Sequence, residues 1–152
     1  MARALGADVA FFLHGGCVQL GEKGDVLERT FEPARGMVVL VKIDEGVSTK
    51  AAYAAFDELA AVQHAESTDA IESAAELPLF NNLAAASEQV LPALAEARGW
   101  LASQPGVAHD AAGKAEVLLC GSGSATFAIV EDGDSIRKAA DIVAAAKLKG
   151  MW

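Results

Sequence analysis

Four short segments carry residue types and spacings capable of chemistry. Gly121, Ser122, Gly123 and Ser124 lie between two apolar runs. Glycines let a backbone approach a ligand closely, and successive N–H groups can form an anion-binding nest. A plain hairpin turn is the alternative, because glycine's role in turns needs no ligand. The spacing is neither a Walker loop nor a dinucleotide fingerprint. Asp8 precedes an apolar run, where an aspartate is either a turn former or a group that takes a proton from a hydroxyl. His14 adjoins Gly15 and Gly16 and suits a ligand-facing loop or an ordinary one. Thr49 and Tyr53 stand one helical turn apart and share a face, as ligand contacts or as a helix-start residue and a core aromatic. Asn81 and Asn82 open a helix-like stretch, for which capping is a sufficient reason.

These residues need elements to position them. Residues 2–5 read as the last turn of a helix, with Gly6 in the left-handed position beyond it. The runs 9–13 and 17–20 are apolar and β-prone, and 25–31 partly alternates in polarity. The β-branched run 37–43 has the pattern of a buried strand. Pro33 and Gly36 before it mark a loop and a domain boundary. Ser48 caps a helix predicted over 49–65, whose apolar residues include Tyr53, Phe56, Leu59 and Val62. A short helix is predicted within 66–80, ending before Pro78. Another is predicted over 87–103, with Pro92 tolerated near its start or at a kink. Strands follow at 117–120 and 126–130. Asp134 or Ser135 then caps a last helix through Ala146, with Lys147 and Lys149 at its negative end. Strands and helices mix without regular βαβ alternation, which predicts an α+β fold.

The chain has 152 residues, 53% hydrophobic and 22% charged, enough for a globular core. A net charge of -9 argues against nucleic acid as a partner, since such binding draws on Lys and Arg. Local amide donors can still hold a phosphate on an acidic protein. Cys17 and Cys120 are far apart and fit reduced thiols rather than a disulfide framework. The three histidines lack metal-ligand spacing, so no metal site is expected. No apolar run reaches the roughly 18 residues of a membrane span, and no signal-peptide pattern opens the chain. A cytoplasmic location is the expectation.

In sequence order, these segments resemble a known family. LGADVAFFLHGG at residues 5–16, GVSTKAAY at 46–53, FNNL at 80–83 and LLCGSGSATFAI at 118–129 are similar to segments of the diphosphocytidyl-methylerythritol kinases, a branch of the GHMP small-molecule kinases. The resemblance covers essentially the whole chain; LGADV is fairly specific to the branch, GSGS to the superfamily. It implies a remnant of the GHMP N-terminal domain over residues 1–33. A C-terminal domain with an antiparallel sheet and packed helices would follow over 34–152. It implies phosphoryl transfer from ATP, with Mg²⁺, to a cytidine-diphosphate substrate in non-mevalonate isoprenoid synthesis. Asp8 would take the proton of, or orient, the acceptor hydroxyl. Thr49 and Tyr53 would contact the substrate, and Gly121, Ser122, Gly123 and Ser124 would shape the site near its phosphates.

Some positions depart from the family pattern. Ala10 stands where proline is usual, Ala84 where an acidic residue often follows, and Cys120 where a hydroxyl residue precedes GSG. The family's glycine-rich ATP loop and catalytic lysine lie upstream of the aspartate segment, and no residue here matches either. The chain as given is therefore expected to be an incomplete, inactive part. Its amino-terminal piece is expected to expose a sheet edge, leaving that end disordered or covered by a homo-oligomer. Another GHMP kinase, or a non-catalytic binding remnant of the fold, are the competing readings; the GADV and VST segments favour the cytidyl branch.

Overall fold

The computed structural model of the chain describes residues 7–21, 24, 26–59 and 70–152. The helix turn expected at residues 2–5 lies outside them. The chain divides into two compact units: residues 1–35 with 65–78, and residues 36–64 with 79–152.

The first unit holds α1 (Ala7–His14) and the strands β1 (Cys17–Gly21) and β2 (Val26–Phe31). The stretch 9–13, read as β-prone, is helical. A short apolar run has no decisive period, and the alanines and leucine around it are good helix formers. Gly15 and Gly16, with φ of 67° and 66°, stop α1 in a conformation that favours glycine. β1 and β2 pair antiparallel, with Cys17 opposite Phe31 and an irregularity between Gln19 and Leu20. Phe31 is buried, and the Arg29 guanidinium lies 5.0 Å from its ring centroid while donating to the Ile71 carbonyl. The Glu32 N–H donates to the Glu72 carbonyl at 2.9 Å, and the Ala74 N–H to the Glu32 carbonyl at 2.8 Å, which fastens residues 72–74 beside β2. The helix expected within 66–80 is, among the described residues, only a 3₁₀ turn at Ala74–Glu76.

The second unit is built on three antiparallel strands in the order β3 (Met37–Lys42), β5 (Ala125–Val130), β4 (Val117–Leu119). Val39 and Val41 on β3, Ala128 and Val130 on β5, and Val117 and Leu119 on β4 alternate onto one buried face. Against that face pack α4 (Ala93–Ala102) and α5 (Ser135–Leu148), which add Leu101, Ile142 and Ala146 to the core. The predicted helix over 87–103 is in fact two. α3 (Leu83–Val90) ends at Leu91, and Pro92 begins α4. Proline lacks an N–H to continue α3 but suits a helix start. α2 (Thr49–Glu58) packs on α3, where Ala52 and Ala86 are fully buried. The expected cap of α2 is formed, with Ser48 Oγ accepting from the Ala51 N–H at 3.3 Å. Asp134 precedes α5 at φ 55° but makes no side-chain cap.

α5 closes in a Schellman turn. The Gly150 N–H reaches the Lys147 carbonyl and the Met151 N–H the Ala146 carbonyl, both at 3.0 Å, with Gly150 at φ 76°. That turn buries Met151 and delivers Trp152 to β3, where it exchanges backbone hydrogen bonds with Lys42. The antiparallel sheets and mixed helices agree with the α+β expectation. Among the described residues no helix is long and apolar enough to cross a membrane.

Candidate functional site

The loop joining β4 to β5 is Gly121–Ser124, and its shape depends on its glycines. Gly121 has φ 56° and Gly123 φ 95°, a region costly for residues with a Cβ. At Gly123 space is also tight: a Cβ there would lie 3.2 Å from Leu119 Cδ1 and 3.2 Å from Leu94 Cδ1, so those methyls would have to give by a few tenths of an ångström. The Gly123 N–H donates to the Cys120 carbonyl, and the Cys120 N–H to the Ala125 carbonyl, both at 2.9 Å. The buried Ser124 hydroxyl donates to the Ile43 carbonyl at 3.3 Å, tying the loop to the end of β3.

Asn81 fixes the other side of the loop. Its amide Nδ2 donates to the Leu119 carbonyl at 2.8 Å and to the Gly121 carbonyl at 2.7 Å. Its Oδ1 accepts from the Leu83 N–H at 2.9 Å, which satisfies a first-turn donor of α3. One side chain thus starts a helix and anchors the loop. Capping was legible in the sequence, whereas the two long-range bonds span 38 and 40 residues and were not.

α2 begins beside the loop. Thr49 Oγ1 and Ser122 Oγ lie 3.1 Å apart, so a hydroxyl of the VST segment meets a hydroxyl of the GSGS segment across 73 residues. The N–H groups of Thr49 and Lys50 stand in the first turn of α2, where no helical acceptor reaches them. Amide donors, the positive helix end and two hydroxyls here favour an oxyanion such as a phosphate. Tyr53, one turn further along α2, keeps 53% of its surface exposed, which corrects its reading as a core aromatic.

Cys120 is exposed at the loop's entrance, yet desolvation of its sulfur pushes the thiol pKa up. That opposes thiolate formation and leaves the loop without an activated nucleophile in Cys120. Behind Asn81, a groove of about 310 Å³ runs between α3 and β4, lined by Phe80, Ala84, Glu88, Arg98, Lys114 and Leu118 among others. The Arg98 guanidinium grips Glu88 through Nε at 2.6 Å and Nη2 at 3.1 Å. This hydrogen bond raises the Arg98 pKa against the lowering effect of burial.

Thr49, Tyr53, Asn81 and Gly121–Ser124 all belong to the second unit. Asp8 belongs to the first, as the second residue of α1, and its side chain lies outside the described positions. His14 is exposed in the last turn of α1. Among the described residues no group of three His, Cys, Asp or Glu side chains gathers into a metal site.

No protein-family model matches the chain. It is similar to the 4-diphosphocytidyl-2-C-methyl-D-erythritol kinase of Desulfitobacterium hafniense (strain Y51), at 35% identity over 148 residues, covering 93% of this chain and 49% of that protein. It is also similar to the protein of the same name from Pelotomaculum thermopropionicum, at 35% identity over 150 residues, covering 92% and 48% respectively. The chain therefore spans about half the length of the curated relatives it matches. These relatives are kinases by name, and the motif resemblance is borne out over nearly the whole chain.

Proposed function

We propose that this chain is a portion of a 4-diphosphocytidyl-2-C-methyl-D-erythritol kinase, a GHMP enzyme of non-mevalonate isoprenoid synthesis, carrying part of its substrate site. The observation that supports this most is the 3.1 Å approach of Thr49 Oγ1 to Ser122 Oγ, which unites two family segments distant in sequence. Their hydroxyls, with the amino end of α2 and the glycine loop, offer donors for a diphosphate. Tyr53, exposed on the same helix, presents a ring on which the cytosine would stack.

In this reading Asp8 is the catalytic residue and takes the proton of the acceptor hydroxyl as its oxygen attacks the γ-phosphorus of ATP. The bond from that phosphorus to the bridging oxygen breaks, and ADP leaves. Residues 1–33 would be the end of the GHMP N-terminal domain and residues 34–152 the C-terminal domain. Beside Asp8, the chain's contribution is positioning: hydroxyls and amides hold the diphosphate so that the reacting oxygen stays aligned. Mg²⁺ supplies charge neutralisation to the phosphates in such transfers. The glycine-rich ATP loop and catalytic lysine have no counterpart here, so the chain alone should bind substrate without turning it over.

Isothermal titration against the cytidylated substrate, homoserine and mevalonate tests the reading. Saturable binding of the first alone, weakened about tenfold by Tyr53→Ala, is expected from the loss of one base–aromatic stack. Equal binding of all three, or of none, would overturn it. Robust turnover of the chain with ATP and Mg²⁺ would overturn the inactivity of the portion.

A further inference from the structure

Ala84, Ala85 and Glu88 share one face of α3, because residues three and four apart lie side by side on a helix. Two of the three are alanines, and between that face and β4 the groove of about 310 Å³ stays open. At the roughly 30 Å³ that a water takes in the liquid, it has room for about ten non-hydrogen atoms. Its walls are mainly apolar and include Leu118 and Phe80, whose ring is 37% exposed. A concave, mostly apolar surface with a few convergent polar groups is the usual form of a small-molecule site.

The charges in the groove do not balance. Two cations, Arg98 and Lys114, line it against one carboxylate, Glu88, which leaves one positive charge in excess on a chain of net charge -9. Glu88 takes only the Nε–H and one Nη2 N–H of Arg98. A guanidinium carries five N–H donors, so a second fork, one N–H from each terminal nitrogen, stays open to another carboxylate. Among the described residues the Lys114 ammonium pairs with no carboxylate. Asp110, near it in the chain, spends its Oδ1 on the Ala112 and Lys114 N–H groups, both at 2.9 Å.

We propose that this groove binds a small monocarboxylate with an aromatic or branched apolar body. The carboxylate takes the open fork of Arg98 and the Lys114 ammonium, and the body lies against Phe80 and Leu118. A phosphate monoester suits the groove less, since at pH 7 it carries about -1.5 to -2 charges and sets the surplus against Glu88. The site is distinct from the glycine loop: none of Thr49, Tyr53 or Gly121–Ser124 lines it. It does not depend on the kinase reading.

Titration of the chain with hydrocinnamate, followed by amide chemical shifts, tests the proposal against two controls, the neutral hydrocinnamamide and acetate. Hydrocinnamate should shift Phe80, Ala84, Lys114 and Leu118 saturably, in the millimolar range expected of a ligand this small. The amide lacks the charge and acetate lacks the body, so each should bind about tenfold more weakly or worse. Lys114→Gln, at an exposed position, should weaken hydrocinnamate about tenfold. Ala84→Glu, which puts a longer side chain and a second carboxylate into the groove, should abolish binding. Equal binding of hydrocinnamate and its amide, or unaltered binding in Lys114→Gln, would overturn the proposal. So would saturable shifts at Thr49 and Ser122 in place of the groove, or no saturable shift at all.

Discussion

At the scale of single residues, Asn81 is the junction of the site. Asn81→Ala removes two donations to loop carbonyls and the acceptor for the Leu83 N–H. The expected loss is about 2–3 kcal/mol in urea unfolding, from a lost cap and unsatisfied carbonyls. Asn81→Asp keeps the Leu83 bond but turns a carboxylate oxygen toward the two carbonyls, so it should recover little of that loss. Gly123→Ala forces a Cβ into a left-handed backbone against the Leu94 and Leu119 methyls. It should cost about 1–3 kcal/mol, read as a lower denaturant midpoint with an unchanged slope. At this scale the sequence identified the loop and Thr49 but not their partners. The hydroxyl pair and the Asn81 bonds join segments that only the folded chain brings together, and local spacing contains no trace of them.

At the scale of elements, a charged pair bridges α3 and α4. Arg98 holds Glu88 with two bonds, its side chain 39% exposed and that of Glu88 16% exposed. Glu88→Ala should destabilise by about 1 kcal/mol, partial exposure keeping the figure near that of surface pairs. Glu88→Gln should fall between, retaining one acceptor. The strands β1 to β5 were legible, because apolar, largely β-prone runs are bounded closely by turn residues. α1 was not: its apolar run 9–13 fits either period, and helix won where alanine supplies the surroundings. The break at Pro92 was legible as a kink but not as a boundary; Leu91, extended at φ -138° and ψ 90° before the proline, ends α3. The described part of the helix from Thr49 ends at Glu58, short of the predicted Ala65, with Leu59 extended at its end.

At the scale of the whole molecule, the second unit carries both a core and the candidate site. The core is the face of β3, β5 and β4 covered by α4 and α5, and the loop and the start of α2 are anchored to its rim through Ser124, Asn81 and Thr49. The proposed phosphate-binding surface would, assembled this way, be held in place before ligand arrives, which spares part of the ordering cost of binding. In the proposed function, Thr49 and Gly121–Ser124 form one such surface. Amide chemical shifts followed during titration of the chain with cytidine 5′-diphosphate test it directly. Saturable shifts concentrated at Thr49, Lys50 and Gly121–Ser124, weakened about tenfold in Thr49→Val as a charge-assisted bond is lost, are the expected result. Saturation with shifts confined to other residues, or none at millimolar ligand, would contradict the claim.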